Sequence, residues 1–407
     1  MPMIELADKE GNTRWITVFP FNSLELARSY VAKSSVVLRI IKGDLPVYWV
    51  CNPEDAEWGL VGGPFGFFSR RAFAAGSIRF DGWGGVVSEA FRKYAFNPFT
   101  EATGIKVVEG EFGDMDTYLT RVKASYPPGG EFNLAHLSGV FDYARYVGLK
   151  FNVVLDESKI PNLKNVMPAM MEPYRAITNG TLSAVPYDYG QTGIAYNTKY
   201  ISKDKAEKLG ASLLWDKDLK GKLGSWGDWR TNIWYAALHT GQNPNKITDM
   251  KAIWSALEEQ VPLVKKYWSS GAELMSLLAN EEIYATVAWS GRVAALQAQG
   301  HPIGFLSPHN CYSWQECIFV LKGTDLDVAE KLLNFMLEPK AAIAVAEGQK
   351  YPSSLDPTKV PMPEEVQKLP AFDPTGKLEG YLFADPAFWN AHQVDFAEKW
   401  DRIKAGA

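Results

Sequence analysis

From residue 77 onward the chain alternates between two hydrophobic periods. Short runs rich in β-branched and aromatic residues predict strands at Ser77–Phe80, Ile105–Glu109, Leu134–Leu137, Ala184–Pro186, Gly193–Asn197 and Thr286–Trp289. Between and after them, apolar residues recur three and four apart. That spacing predicts helices at Val86–Phe99, Asp114–Ser125, Lys203–Leu209, Trp229–Thr240, Asp249–Tyr267, Gly271–Asn280, Gly291–Gln299, Asp327–Met336 and Lys340–Gly348. Strands alternating with helices imply an α/β fold with mainly parallel sheets. The stretch is longer than one hydrophobic core usually holds, so two lobes are expected.

The first 61 residues read as a separate small α/β unit. Thr13–Pro20, Val36–Ile41 and Val47–Val50 are strand candidates, and Asn22-Ser23 can cap a helix over Leu24–Ala32. Asn52-Pro53-Glu54-Asp55 opens a further short helix. No constellation of chemical groups appears in this unit. Gly62-Gly63-Pro64-Phe65-Gly66 breaks the pattern, and 62–76 reads as a linker. It holds Ser69-Arg70-Arg71-Ala72-Phe73, shaped like a twin-arginine export motif but without the apolar stretch that follows one. The plainer reading is two solvated arginines. Met1–Glu5 lacks the basic start and apolar run of a secretory signal. No uncharged apolar stretch is long enough for a membrane span.

Composition narrows the partners. Lys and Arg number 42 against 47 Asp and Glu, a net charge of −5, with no basic block. Nucleic acid and charged membrane surfaces are therefore poor partners. Three cysteines exclude a disulfide framework. Cys311 and Cys317 could be bridged only if the backbone turned between them. The 14 tryptophans are the unusual feature, because Trp serves stacking and cation–π surfaces as well as cores.

Enzyme signatures are missing. The sequence has no G-x-S-x-G elbow, no H-E-x-x-H, no P-loop and no complete G-x-G-x-x-G. His301, His309, Cys311 and Cys317 match no zinc spacing. No catalytic residue, metal or cofactor is expected. The rival reading is an enzyme with Cys311 or Cys317 as nucleophile, which needs a nearby base and a lowered thiol pKa; His309 is two residues from Cys311.

Aromatic and acidic residues gather instead at predicted strand ends. These are Trp83, the run Tyr187-Asp188-Tyr189, Trp226 with Asp228, Trp289 with Arg292, and Trp314 with Glu316. Parallel α/β sheets bind ligands beyond the carboxyl ends of their strands. Rings and carboxylates together can cage an organic cation.

These motifs carry a family resemblance. Arg79-Phe80-Asp81-Gly82-Trp83, Phe99-Thr100-Glu101-Ala102-Thr103-Gly104-Ile105, Val185-Pro186-Tyr187-Asp188-Tyr189-Gly190-Gln191-Thr192-Gly193, Ala288-Trp289-Ser290-Gly291 and Leu333-Asn334-Phe335-Met336-Leu337-Glu338-Pro339 occur in the order seen in bacterial extracellular solute-binding proteins of ABC importers. The chain most resembles the spermidine/putrescine-binding group, from about Ser77 to the C-terminus. The resemblance implies a type II periplasmic-binding fold that closes on its ligand by hinge motion. Lobe 1 would comprise 77–187 and 289–318, and lobe 2 would comprise 188–288 and 319–407. It also implies a periplasmic monomer that takes a small nitrogenous solute and meets membrane permease subunits. Trp83 and Trp289 match ring-stacking positions, Asp228 an amine-binding carboxylate, and Glu316 an acidic position after an aromatic. One departure stands out: Arg292, close after Trp289, would repel a polyamine. It points either to a zwitterionic solute, amino-acid-like or opine-like, or to a surface ion pair.

Overall fold

The computed structural model describes residues 76–125 and 131–406, together with the backbone of six strands within residues 1–60. The chain forms two compact units, Met1–Ser77 and Ile78–Ala407. In the first, β1 (Met3–Ala7) pairs antiparallel with β2 (Thr13–Thr17). A second sheet joins β3 (Phe19–Phe21), β4 (Val36–Lys42) and β5 (Leu45–Cys51), and β6 (Gly59–Leu60) completes the sheet of β1. The single strand expected over Thr13–Pro20 is thus shared between β2 and β3, in different sheets. The helices expected at Leu24–Ala32 and after Asn52, and the Ser69–Phe73 motif, lie outside the described residues.

The second unit is built on one mixed sheet. Its strands are β7 (Ser77–Gly82), β8 (Lys106–Glu111), β9 (Leu134–Leu137), β10 (Ala184–Asn197), β11 (Leu223–Trp226), β12 (Val264–Trp268), β13 (Ala285–Trp289), β14 (Ile303–Leu306), β15 (Tyr312–Val320) and the short β16 (Leu382–Phe383). The main order is β12-β11-β13-β10-β15-β9-β7-β8, with β14 on β10 and β16 on β15. The sheet is not mainly parallel. β7–β9 and β12-β11-β13 are parallel, but β10 runs antiparallel to β13, β14 and β15.

Two long strands tie the halves of this sheet together. β10 pairs with β15 over Ala184–Thr192 and with β13 over Thr192–Tyr196, so it leaves one half and enters the other. The sequence pattern showed only its two apolar ends. The polar middle, Asp188 to Thr192, is held extended by hydrogen bonds to β15 that no local pattern reports. Two glycines in it admit close neighbours. A Cβ on Gly190 would sit 2.5 Å from the Trp314 ring, and one on Gly193 would sit 2.5 Å from the Phe305 ring and 2.6 Å from the Leu306 carbonyl.

Several helices differ from expectation. Asp249–Tyr267 is a helix only over Met250–Gln260, because Pro262 cannot donate to the helical ladder and its ring blocks the previous turn. The chain then turns into β12. The helix expected over Val86–Phe99 runs on to Thr103, through a wider π turn at Arg92–Phe96. Helices Gly139–Gly148, Pro168–Ile177 and Pro386–Ala405 occupy segments with no assigned pattern.

The tail also departs from its expected place. The Leu326–Met336 and Pro339–Gln349 helices pack on the first half of the sheet. Glu330 Oε1 accepts from Asp156 N at 2.7 Å, Asn334 Oδ1 accepts from Asn162 N at 3.0 Å, and Gly348 abuts Ala90 and Tyr94. Segment 326–349 therefore lies with lobe 1, where the sequence reading placed all of 319–407 in lobe 2. The Pro386–Ala405 helix bears on both halves, touching Gly139–Gly148 and Trp229–His239. Cys311 and Cys317 are buried and free, with no bridge between them. Gly193→Val should destabilise the second unit by about 1–3 kcal/mol through overpacking on Phe305 and Leu306. Chemical denaturation followed by Trp fluorescence measures this, and an unchanged midpoint would refute it.

Candidate functional site

Strand ends deliver the tryptophans. Trp83 follows β7, while Trp226, Trp268 and Trp289 are the last residues of β11, β12 and β13. The register of β11 on β12 sets Trp226 opposite Trp268, with rings stacked at 5.6 Å and 7°. Trp289 stands edge-on to both, at 5.0 and 5.1 Å, and Trp83 meets Trp289 at 5.7 Å. Edge-on packing sets the positive ring edge against a π face. No sequence pattern marks Trp268, because the strand it ends follows closely on a helix with apolar spacing.

β15 supplies the opposing wall. Alternation along a strand places Tyr312, Trp314 and Glu316 on one face and Ser313 and Gln315 on the other. Six of the ten nominated residues line one cavity: Trp83, Trp226, Trp289, Arg292, Trp314 and Glu316. Thr192, Tyr312 and Tyr351 join them without having been nominated. The cavity is about 20 Å³, room for one water. A cleft of about 650 Å³ adjoins it and shares Ser138 and Trp226.

The other four nominated residues sit elsewhere. Asp228 lines the larger cleft, but its Oδ2 caps the Trp229–His239 helix, accepting from Thr231 N at 2.8 Å and Thr231 Oγ1 at 3.0 Å. Burial holds its pKa above the ordinary aspartate value, against the pull of Arg230. Tyr187 packs on Phe91 at 5.0 Å, and its hydroxyl donates to the Met336 carbonyl. The Tyr189 hydroxyl accepts from Asp373 N at 3.0 Å. Both tyrosines are buried packing residues. Asp188 is fully buried beside the cavity wall rather than in it.

Asp188 reaches that place through a bulge. Pro186 pairs with Cys317 and Asp188 with Glu316, so Tyr187 is an extra residue in the ladder. Without it, Asp188 would oppose Gln315 and face the other way. On the neighbouring strand, His136 pairs with Ile318, two residues beyond Glu316 and on the same face. His136 Nε2 consequently lies 3.0 Å from Glu316 Oε2 and 3.5 Å from Asp188 Oδ2. Gln349 Nε2 donates to Asp188 Oδ2 at 2.7 Å. The facing atoms of His136, Asp188 and Glu316 lie within 4.8 Å of one another, close enough for one cationic centre to bridge the two carboxylates. A histidine proton supplies that charge. Burial alone would depress His136, but Glu316 and Asp188 outweigh it and hold its pKa at about 10. Burial raises Glu316 to about 7 despite His136. No sequence motif marked His136.

Arg292 lies in the first turn of the Ser290–Ala298 helix, where a cation opposes the helix dipole. It is 2% exposed, so the surface-pair reading fails. Its guanidinium sits 5.7 Å from the Trp289 ring centre, and Nη2 donates to the Gly84 carbonyl at 3.4 Å. Its Nη1 is buried without a hydrogen-bond partner. Among the described residues, no carboxylate lies within ion-pair distance of it. The two thiols are poor nucleophiles, since burial pushes Cys311 up to about 12 and raises Cys317 well above the ordinary thiol value.

The buried cluster makes stability depend on pH. Glu316 takes up its proton more readily in the folded state, so its contribution falls as pH rises from about 4.5 to about 7. His136 contributes fully below about 6.5, and that contribution is lost as pH rises to about 10. The thermal midpoint should therefore fall with pH across this range, and the fall should be smaller in Glu316→Gln. Calorimetric melts of both proteins from pH 5 to 10 test this; parallel curves would refute it.

Residues 94–374 match the family described as bacterial extracellular solute-binding protein. The spermidine/putrescine-binding periplasmic protein 1 of Haemophilus influenzae is 27% identical over 334 residues, 81% of this chain and 87% of that protein. A gamma-aminobutyric acid-binding protein of Pseudomonas aeruginosa is 24% identical over 331 residues, 78% and 88% of the respective chains. A putative spermidine/putrescine ABC transporter structure from Listeria monocytogenes superposes with TM-score 0.70 at 22% identity, over 82% of this chain and all of that one. With its strands passing between two halves around an aromatic cavity, the chain belongs to the bacterial extracellular solute-binding proteins, in the two-lobed type II fold.

Proposed function

We propose that this protein captures a small nitrogenous solute between the two halves of its sheet and delivers it to the membrane subunits of an ABC importer. The observation that carries this reading is the convergence of Trp83, Trp226, Trp289 and Trp314 with Glu316 on one cavity. Each ring face contributes about 0.5–2 kcal/mol to holding a cation. The relatives' names support a polyamine or related amine as the solute. A second reading, a zwitterionic amino-acid-like or opine-like solute, is favoured by the buried guanidinium of Arg292 in the same lining.

The reading needs no covalent step. The cavity holds about one water as it stands, so a solute enters when the halves part about β10 and β15 and is enclosed when they return. Delivery would take place outside the cytoplasm, where the relatives' names place them. Among the described residues, no helix is long and apolar enough to cross a membrane.

Titration calorimetry of the full chain against putrescine, spermidine, basic amino acids, opine-like conjugates and dicarboxylates tests the proposal. We expect micromolar or tighter binding of an amine-bearing member, weakened about tenfold or more by Trp289→Ala. No binding across the amine-bearing members would overturn it.

A further inference from the structure

The two charged groups that face the cavity are not equivalent. Glu316 is already opposed from behind by His136, at 3.0 Å. Among the described residues no carboxylate opposes Arg292: its guanidinium donates to a backbone carbonyl, and Nη1 is buried and unpartnered. A buried guanidinium left this way costs free energy unless an anion arrives to meet it. In a lining of indole rings, that anion must come with the solute.

We infer that His136 is a specificity-determining residue: by neutralising Glu316 from beneath, it leaves Arg292 as the uncompensated charge of the cavity, so the site selects amines that also carry a carboxylate over plain di- and polyamines. This rests on the solute-capture reading above and narrows it. Among the described residues, the titratable groups facing His136 are Glu316 from β15 and Asp188 from β10, with Phe80 and Phe91 against its ring. Asp188 shares the His136 charge at 3.5 Å and takes a hydrogen bond from Gln349, but it is not part of the cavity lining, so Glu316 is the carboxylate that meets a solute there. The carboxylate would dock on the free edge of Arg292. The ammonium would lie among the rings, toward Glu316. His136 touches no solute and acts through Glu316.

Matched probes separate the possibilities: lysine against cadaverine, arginine against agmatine, and 4-aminobutanoate against putrescine. The members of each pair differ by one carboxylate. The wild-type full chain should prefer the carboxylate member of the pair it binds. Arg292→Gln should erase that preference. His136→Gln should shift the preference about tenfold or more toward the plain amine, because a solute cation then meets a Glu316 that has lost its histidine charge. Glu316→Gln should shift it the other way. Loss of packing alone would not move the preference in opposite directions in these two variants. If His136→Gln fails to fold by thermal melt, His136→Asn takes its place, with the same shift expected and an unchanged preference counting against the inference. Tighter binding of the plain amines by wild type, or a preference unchanged in the three variants, would overturn the inference while leaving solute capture standing. Failure of all six probes to bind would overturn the inference, and solute capture would fall with it only if spermidine and the opine-like conjugates also failed to bind.

Discussion

Asp188 faces Glu316 because Tyr187 is bulged out of the ladder between β10 and β15, and much of the second unit depends on that pairing. The same two strands carry the chain between the halves of the sheet. They present Trp314 and Glu316 to the cavity, and they bring two carboxylates within reach of His136 on β9. Register is an all-or-none property of a strand, since a slip of one residue turns every side chain to the opposite face. A single inserted residue therefore decides whether this region holds a compensated charge cluster or two stray acids.

Charge neutralisation in a dry interior explains the arrangement around that pairing. Two carboxylates placed close together without a cation would be strongly disfavoured. His136 offsets part of that cost, and Gln349 satisfies one Asp188 oxygen. The bill is not fully met, because Glu316 remains a weak acid. Among the described residues, Arg292, across the cavity, finds a backbone carbonyl and a ring but no carboxylate. A binding site is a place where such incomplete satisfaction persists, because the solute completes it.

Much of the fold was legible in sequence. Helices with clean apolar spacing, such as Lys203–Leu209, lie where the pattern placed them, and the strand at Leu134–Leu137 does also. The misreadings share a cause. β10 looked like two fragments because its middle is polar and glycine-bearing, and only pairing with β15 keeps it extended. Most of β12 was absorbed into the helix expected over Asp249–Tyr267, because Val264 and Tyr267 fit its apolar spacing. The Leu326–Met336 and Pro339–Gln349 helices were recognised, but the half of the sheet they cover is set by contacts to residues far earlier in the chain.

For the site, sequence alone determined the chemical inventory: an excess of tryptophan, acids beside aromatics at strand ends, and one arginine out of keeping with a polyamine cage. Each of these is a local fact about residue type and its neighbours. The tertiary structure decided which of them meet. It brought Trp83, Trp226, Trp289, Trp314, Arg292 and Glu316 to one cavity, set Asp228 to capping a helix, and sent Tyr187 and Tyr189 into packing. It also recruited His136, which no motif marked. The physical reason is that strand register and helix packing join residues more than a hundred positions apart, and the charge of a buried group depends on those distant partners rather than on its neighbours in the chain.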